Sequence, residues 1–303
     1  MKSKAQILKE YLYGDEMASA VGCYDGFTAK LVEQAGFEVA LMSGAGVATS
    51  LQGLPDNGLV TLTEMADAAK RIACSVDIPV IADADNGFGS AMNVRRAVQE
   101  FELGGAAAIQ LEDQKMPKSC GHADGKEVVP CIEHCRKIEL AAATRREMLI
   151  LARTDAASVH GIDDAIMRVN EYAKAGADFV IVDAPRTVEE MKKIGGQVRV
   201  PVMINLVEGG KTPYLPKEEL RSMGFRLVCY PGVCTLTVIH TLQMVLRELR
   251  TAGGTQKYKD MVGVLKEHNE LVNDAFYRRL ERIYVHGISE ETEQGGEKIC
   301  RNA

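Results

Sequence analysis

The sequence of 303 residues lacks the features that mark several classes of protein. It contains no run of the roughly eighteen apolar residues that a membrane-spanning helix needs. Its first segment, MKSKAQILKEYLYGDEM, has no apolar core typical of a secretory signal. Lysine and arginine number 36 against 42 aspartates and glutamates, so the net charge of −6 provides no basic surface for nucleic acid or membranes. Secreted, membrane and nucleic-acid-binding classes are therefore disfavoured.

The cysteines likewise lack the spacing of a disulfide framework. Eight cysteines are scattered along the chain, mostly within apolar segments, which is typical of reduced thiols in a cytoplasmic protein. Hydrophobic residues make up 46% of the chain and charged residues 26%, the balance of an ordinary globular protein. We therefore expect a cytoplasmic protein that acts on a small molecule.

What the sequence does contain is an alternation of short apolar runs and longer amphipathic stretches. Each run is too short for a helix and is rich in Val, Ile or Leu, as in parallel strands buried on both faces. The eight runs are Ala18–Cys23, Val39–Met42, Ile78–Ala82, Ala107–Leu111, Met148–Ala152, Phe179–Val182, Val200–Ile204 and Arg226–Cys229. The helical stretches between them include Thr63–Val76, Ala91–Gly104, Ile132–Glu147, Gly161–Gly176, Thr187–Val198 and Pro216–Met223. This alternation predicts an α/β fold, a (β/α)8 barrel.

The carboxyl-terminal part of the chain exceeds what a closed barrel requires. Leu236–Arg250 carries a broad apolar stripe, and a second amphipathic region covers Tyr258–Val285. We expect part of this apolar surface to pack on another subunit. The predicted organisation is a single barrel domain with a helical extension over residues 1–286, followed by a disordered, polar and glycine-rich tail over 287–303.

Polar side chains terminate five successive strands of the predicted barrel. They are Asp83 and Asp85, Glu112 and Asp113, Arg153 and Asp155, Asp183, and Asn205. The carboxyl ends of barrel strands ring one mouth, where the active site of such enzymes lies. Carboxylates that converge there repel one another unless a cation lies among them, and hard oxygen ligands suit Mg2+ or Mn2+. The alternative is that the aspartates at 83 and 85 only stabilise the turn and helix that follow.

The segment 114–129, QKMPKSCGHADGKEVV, is long for a loop between a strand and a helix. Long loops in compact domains are usually functional. Lys118 and His122 flank Cys120, and two cationic neighbours would lower the pKa of its thiol and make it a proton donor or nucleophile. Gly121 would let this segment fold over the mouth as a mobile lid.

A set of carboxylate-binding groups is also visible. In the run SGAGVATS, the backbone N–H groups of Ser43, Gly44 and Ala45 could hold an anion. Arg153 at a strand end would add a bidentate contact, and Asn205 and Thr212 would add neutral hydrogen bonds. These groups predict a small di- or tricarboxylate bound to a divalent metal.

Two other interpretations of the same motifs are weaker. Cys120, His122, Cys131, His134 and Cys135 could form a zinc cluster, but their spacing matches no common structural zinc pattern. The SGAG run could begin a dinucleotide-binding loop, but it lacks the third glycine of that fingerprint.

Together these motifs resemble the isocitrate lyase/phosphoenolpyruvate mutase superfamily, and within it the branch of short 2-methylisocitrate lyases and 2,3-dimethylmalate lyases. The resemblance extends from about Gly22 to about Tyr284. Its carriers are SGAG at Ser43, GLPDNG at Gly53, DADNGFG at Asp83, IQLEDQ at Ile109, KSCGH at Lys118, ARTDA at Ala152, INLVEGGKTP at Ile204 and YPG at Tyr230.

The resemblance implies a (β/α)8 barrel whose eighth helix is exchanged between two subunits, commonly in a homotetramer. It also implies a Mg2+-dependent lyase that breaks the bond between carbons 2 and 3 of a 2-hydroxy acid and releases a 2-oxoacid such as pyruvate. For this chain it assigns Asp85, Asp83, Glu112 and Asp56 to the metal and Cys120 to the role of general acid.

Further site residues complete this assignment. The candidate substrate-binding residues are Ser43, Gly44, Ala45, Gly121, Arg153, Asn205, Thr212, Asp183 and Tyr24, and the candidate catalytic residues are Cys120, Lys118, His122, Arg153 and Glu112. The base stays open between Tyr24, Glu112 and a metal-bound hydroxide. The chain departs from the family pattern at Ser119, where a basic residue is common, at Asp183, where glutamate is common, and in SGAG, which replaces the SGGG of methylisocitrate lyases.

Other activities of the superfamily remain alternatives. Phosphonate-forming mutases carry Asn-Ser in place of Cys-Gly-His, whereas oxaloacetate hydrolases share the cysteine and oxaloacetate decarboxylases generally lack it. A binding protein without catalytic activity is a further class, and metal-dependent turnover would distinguish an enzyme from it.

The proposed acid role of Cys120 predicts a specific defect in Cys120→Ser. The variant is expected to bind substrate normally but to cleave it more slowly by orders of magnitude, because a hydroxyl is a far weaker acid than a thiol at neutral pH. Single-turnover kinetics together with a binding isotherm measure the two steps separately. Full activity in this variant would remove Cys120 from the mechanism.

Overall fold

The computed structural model describes residues 2–119, 121 and 125–287. Its sheet is a closed barrel of parallel strands in sequential order, which confirms the predicted α/β barrel. The strands are β1 (Ala18–Cys23), β2 (Val39–Met42), β3 (Val80–Asp83), β4 (Ala108–Glu112), β5 (Leu149–Thr154), β6 (Phe179–Val182), β7 (Val202–Asn205) and β8 (Leu227–Tyr230). The bounds of β1, β2 and β6 are those predicted, and the other strands begin and end within two residues of the prediction.

Helices precede, separate and follow these strands, and each of the six helical stretches predicted between the strands overlaps one of these helices. They are α1 (Lys4–Tyr13), α2 (Gly26–Gln34), α3 (Gly44–Gln52), α4 (Leu62–Ser75), α5 (Ala91–Leu103), α6 (Cys131–Thr144), α7 (Ile162–Lys174), α8 (Val188–Gln197), α9 (Lys217–Ser222), α10 (Val233–Ala252), α11 (Leu265–Leu271) and α12 (Asp274–Tyr284). Local capping sets several of the starts. At α4, for example, the Thr61 side chain accepts from the Glu64 N–H and the Glu64 carboxylate accepts from the Thr61 N–H, a reciprocal pair that satisfies two backbone donors.

Apolar side chains pack on both faces of the barrel sheet. One cluster includes Leu41, Ile81 and Phe179 from the strands, and another joins residues of opposite orientation to helix side chains such as Phe101 and Tyr172. Successive residues of a strand point to opposite faces. Burial of both faces therefore explains why the strand sequences are continuous apolar runs rather than alternating patterns.

The chain divides into two compact units, Met1–His240 and Thr241–Ala303. The barrel lies in the first unit, and the described part of the second contains the end of α10 together with α11 and α12. The division falls within the helix that was predicted as Leu236–Arg250. Apart from Gly287, the predicted disordered tail lies outside the described residues.

Helix α10 leaves much of its apolar stripe exposed. Its exposed apolar side chains include Leu236, Ile239, Leu242, Leu246 and Leu249. The predicted packing of this stripe on another subunit stays a prediction. Within the described ranges of the chain, no helix has both the length and the apolar character that crossing a membrane requires.

The close packing of α8 against the loop before β8 generates a paired prediction. A Cβ atom at Gly195 would overlap the carbonyl oxygen of Met223, whereas a Cβ atom at the adjacent Gly196 would meet nothing within 4 Å. Gly195→Ala should lower the free energy of unfolding by about 1–3 kcal/mol through overpacking, and Gly196→Ala should raise it by roughly 0.5–1 kcal/mol through helix propensity. Urea unfolding measures both changes. Equal effects of the two substitutions would contradict this account of the packing.

Candidate active site

The carboxyl ends of β3 to β7 bring polar side chains together in the barrel mouth. These side chains belong to Asp83 on β3, Glu112 on β4, Arg153 on β5, Asp183 directly after β6 and Asn205 on β7. None of the five residues is more than 8% exposed. Charged groups that are buried this close together must be paired with one another or with a ligand.

Arg153 pairs with three of the carboxylates in the mouth. Its Nε and Nη2 donate to the two oxygens of Asp155 at 2.9 and 3.0 Å. Its Nη2 also lies 3.0 Å from Asp183 Oδ2, and its Nη1 lies 3.4 Å from Glu112 Oε2. The bidentate edge that we expected to bind a substrate carboxylate is therefore occupied by Asp155. The longest of these contacts is that of Nη1, which faces Glu112.

Asp155 is held as an anion by two cations. Burial alone would raise the pKa of this carboxyl, but the charges of Arg153 and Lys126 lower it to about 2. Its backbone N–H donates to Asp113 Oδ1 at 2.9 Å. Asp113 in turn accepts hydrogen bonds through Oδ2 from the Thr154 hydroxyl at 2.6 Å and the Tyr172 hydroxyl at 2.8 Å. This buried network fixes the chain behind the mouth.

Two residues of the 114–129 segment that we did not single out are structurally important. The Lys126 ammonium donates to Asp155 Oδ1 at 2.8 Å and to the carbonyl oxygen of Gly121. Gln114 pairs with Val128 in an antiparallel bridge, and its side-chain amide exchanges hydrogen bonds with the backbone of Ser119 at 2.9 and 3.0 Å. The only sequence signal for both was their position within the long loop.

Gly121 lies where the backbone of this segment passes directly against the mouth. A Cβ atom at this position would overlap the carboxylate of Asp183 and would also clash with Nη2 of Arg153. A glycine therefore permits the close approach. Cys120 and His122, the neighbours to which we assigned acid chemistry, lie outside the described residues.

Lys118 connects the same segment to the acidic residues at the other side of the mouth. Its ammonium lies 2.7 Å from Asp56 Oδ1 and pairs with Asp85 Oδ1, and its side chain is 2% exposed. Burial alone would lower the pKa of Lys118, but Glu112, Asp83, Asp85 and Asp56 together raise it well above its usual value. The ammonium therefore serves as a counter-cation for this cluster.

Of the two aspartates that terminate the predicted third strand, only Asp83 belongs to the strand. Strand β3 ends at Asp83, and Asp85 has a left-handed backbone conformation with φ of 48°. The N–H of Asp85 donates to Asp83 Oδ1 at 3.1 Å. Burial raises the pKa of Asp85 to about 6 against the opposing charge of Lys118.

The residues of this cluster fit a hard divalent cation. In the described part of the chain, neither carboxylate oxygen of buried Glu112 has a hydrogen-bond partner. Asp56, Asp83 and Asp85 add further carboxylate oxygens, which are the ligands that Mg2+ prefers. Over the same described residues, no three His, Cys, Asp or Glu side chains are preassembled around one point that could hold a metal. Two of the acids instead contact Lys118.

The predicted anion-binding run forms the start of α3. Ser43 is its N-cap, and the Ser43 hydroxyl accepts from the Gly46 N–H at 3.2 Å, which leaves the N–H groups of Gly44 and Ala45 at the helix N-terminus. Asp83 lies next to this terminus, since a Cβ atom on Gly44 would stand 2.6 Å from Asp83 Oδ2. A substrate carboxylate bound here would therefore lie beside the acidic cluster.

The remaining predicted substrate residues lie around the same mouth or near it. Asn205 donates through Nδ2 to Asp183 Oδ1 at 2.9 Å, and its own Oδ1 is buried without a hydrogen-bond partner among the residues described. The hydroxyl of Thr212 is buried in the same condition. Tyr24 is half-buried and packs against Gly46, and burial raises the pKa of its phenol.

The zinc interpretation gains no support from the part of the cluster that is described. Cys131 and Cys135 lie one turn apart on α6 with their sulfur atoms 4.0 Å apart. His134 is fully buried and packs edge-on against the ring of Tyr172, with 4.6 Å between ring centroids. This packing is that of core residues.

Comparison with known proteins gives a consistent family. The protein family described as phosphoenolpyruvate phosphomutase matches residues 8–250. A 2,3-dimethylmalate lyase from Eubacterium barkeri is 39% identical over 92% of this chain and 98% of its own length. A 2-methylisocitrate lyase from Aeropyrum pernix is 38% identical over 90% of this chain and 88% of its own length.

Solved structures extend the similarity to the whole fold. An oxaloacetate acetylhydrolase in complex with 3,3-difluorooxalacetate superimposes with a TM-score of 0.88 at 30% identity, covering 95% of this chain and 98% of that one. A phosphonopyruvate hydrolase in complex with oxalate and Mg2+ superimposes with a TM-score of 0.85 at 28% identity, covering 94% of this chain and 100% of that one.

The position of Lys118 between two carboxylates predicts a metal-dependent effect on stability. Lys118→Met leaves Asp56 and Asp85 without their counter-cation, which should lower the free energy of unfolding by about 3 kcal/mol in the presence of a chelator. Millimolar Mg2+ should recover most of this loss, because the divalent ion neutralises the same oxygens. Urea unfolding with and without Mg2+ measures both effects. The matched control is Lys174→Met, which removes an exposed ion pair with Glu171.

A loss of stability in Lys118→Met that is unchanged by Mg2+ would contradict metal binding by this cluster.

Proposed function

The chain belongs to the phosphoenolpyruvate phosphomutase family, and from that membership we propose that it is a divalent-metal-dependent carbon–carbon lyase acting on a small 2-hydroxy di- or tricarboxylate. Its substrate is of the 2-methylisocitrate or 2,3-dimethylmalate type, the acids after which the two relatives are named. The observation that carries this proposal is the buried acidic cluster around Lys118, in which Glu112 presents oxygens without hydrogen-bond donors among the described residues.

Four carboxylates of this chain would hold the metal, and Mg2+ or Mn2+ suits them. Asp85, Asp83, Glu112 and Asp56 all supply hard oxygen ligands, directly or through water. When bound, such an ion lowers the pKa of a coordinated hydroxyl and orients the 2-hydroxycarboxylate. The Mg2+ present in the related phosphonopyruvate hydrolase structure supports this choice.

The chain's own groups bind and orient the substrate. The N–H groups of Gly44 and Ala45 at the start of α3 receive one carboxylate. Nη1 of Arg153 and the side chain of Asn205 receive charge on the other half of the molecule, where hydrogen-bond donors in a buried site stabilise a developing anion. Thr212 offers a buried hydroxyl for a further contact.

Bond cleavage needs one base and one acid. A base removes the proton of the 2-hydroxyl group, the electron pair of the bond between carbons 2 and 3 passes to the leaving carboxylate half, and carbon 2 becomes the carbonyl of the 2-oxoacid. The thiol of Cys120 then gives its proton to the leaving carbanion. Tyr24 and Glu112 are the bases that the chain itself supplies.

Two other features belong to the same proposal. The segment 114–129 acts as a lid over the mouth. Two lysines of this segment, Lys118 before Cys120 and Lys126 after it, pair with acids of the mouth. The exposed apolar stripe of α10 packs on another copy of the chain, in a homotetramer built from helix-swapped dimers.

Substrate profiling tests the function directly. The panel contains 2-methylisocitrate, 2,3-dimethylmalate, isocitrate, 2-alkylmalates and oxaloacetate, each with Mg2+ and with a chelator as control. We expect Mg2+-dependent release of pyruvate or glyoxylate from one hydroxy acid, measured by a coupled dehydrogenase assay. Oxalate and acetate from oxaloacetate would instead identify a hydrolase, and no product from any compound would reject this substrate class.

A further inference from the structure

The strongest unexplained feature of the mouth is the buried ammonium of Lys126. Its side chain is 1% exposed, and its partner Asp155 is fully buried. A lysine is seldom buried this deeply without a specific partner, because desolvation of its charge is costly. Lys126 has no role in the acid, base and metal chemistry described above.

Lys126 and Arg153 share one oxygen of Asp155. Oδ1 of Asp155 accepts from Lys126 Nζ at 2.8 Å and from Arg153 Nη2 at 3.0 Å, while Oδ2 accepts from Arg153 Nε at 2.9 Å. The ammonium of Lys126 therefore neutralises part of the charge of Asp155, which the guanidinium of Arg153 would otherwise neutralise alone.

The number of acids around Arg153 explains why this shared contact matters for its charge. Glu112, Asp155 and Asp183 surround the guanidinium. Among the residues described, Lys126 pairs with Asp155, and the charge of Lys118 acts on Glu112. Without Lys126, the described residues would leave Asp155 and Asp183 paired with the guanidinium alone, and these more negative surroundings would weaken its attraction for an incoming carboxylate.

Lys126 also fixes the backbone that covers this arginine. It donates to the carbonyl oxygen of Gly121, the residue whose α-carbon lies against Asp183 and Nη2 of Arg153. One ammonium thus connects the segment to the carboxylate that orients the guanidinium.

We propose that Lys126 is a positioning residue for substrate binding. By pairing with Asp155 and holding Gly121 in place, it offsets negative charge beside the guanidinium and keeps the Nη1 side of Arg153 directed toward a substrate carboxylate. The inference deepens the proposed function and rests on it for the identity of the carboxylate ligand.

The test compares Lys126→Met with Lys126→Arg. The methionine keeps most of the length of the side chain and removes its charge, whereas the arginine restores the charge. The matched control is Lys115→Met on the same segment, because Lys115 pairs with Glu127 at 2.9 Å with both side chains more than half exposed. Circular dichroism and urea unfolding report whether each variant is folded.

Two readouts separate positioning from general stability. The first is the dissociation constant of oxalate in the presence of Mg2+, measured by calorimetry, which does not depend on turnover. The second is KM against kcat for whichever hydroxy acid the wild type cleaves. Lys126→Met should raise both the oxalate Kd and KM about tenfold or more, a change of about 1.4 kcal/mol. Lys126→Arg should recover much of this loss, and Lys115→Met should bind as the wild type does.

The outcomes are distinct from those of the functional test. A folded Lys126→Met variant with Kd and KM within twofold of the wild type would overturn the inference, as would a wild type that binds no oxalate with Mg2+. If the wild type cleaves no member of the panel but Lys126→Met still weakens oxalate binding, the inference holds and the proposed lyase function fails.

Discussion

The structure depends on the neutralisation of carboxylates that the barrel forces together. A parallel barrel directs the carboxyl ends of all its strands to one mouth, and in this chain Asp83, Glu112 and Asp183 lie at or directly after those ends. Two like charges 4 Å apart repel by about 4 kcal/mol at an effective dielectric constant near 20. Such a mouth is stable only if cations enter it.

The chain supplies these cations from two places. Arg153 rises from β5 and pairs with the carboxylates on one side. Lys118 and Lys126 come from the segment between β4 and α6 and pair with Asp56 and Asp85, and with Asp155, respectively. The segment is therefore part of the electrostatic balance of the mouth as well as a candidate cover for it. Because Lys118 already pairs with Asp56 and Asp85, we expect a divalent ion that binds these acids to displace the ammonium.

Sequence patterns were sufficient for the barrel because burial on both faces leaves a simple signature. The runs at β1, β2 and β6 match their strands at both ends, and the acids that follow several of the runs indicated the mouth. Local rules were less reliable where the backbone leaves the strand. Asp85 adopts a left-handed conformation, so its orientation could not be inferred from strand alternation.

The sequence patterns did not show which charged side chains pair with one another. Lys126 and Asp155 are 29 residues apart, and a lysine in a polar loop has the same appearance whether it is solvated or buried. The pairing of Arg153 with Asp155 rather than with a ligand depends on rotamers that no periodicity specifies.

The central claim, that the acidic cluster around Lys118 binds a divalent ion, is tested most directly by anomalous diffraction from crystals soaked in Mn2+. We predict an anomalous peak from an ion coordinated by Asp85, with the Lys118 ammonium displaced. A mouth without a peak at saturating Mn2+, with Lys118 still paired to Asp56 and Asp85, would contradict it.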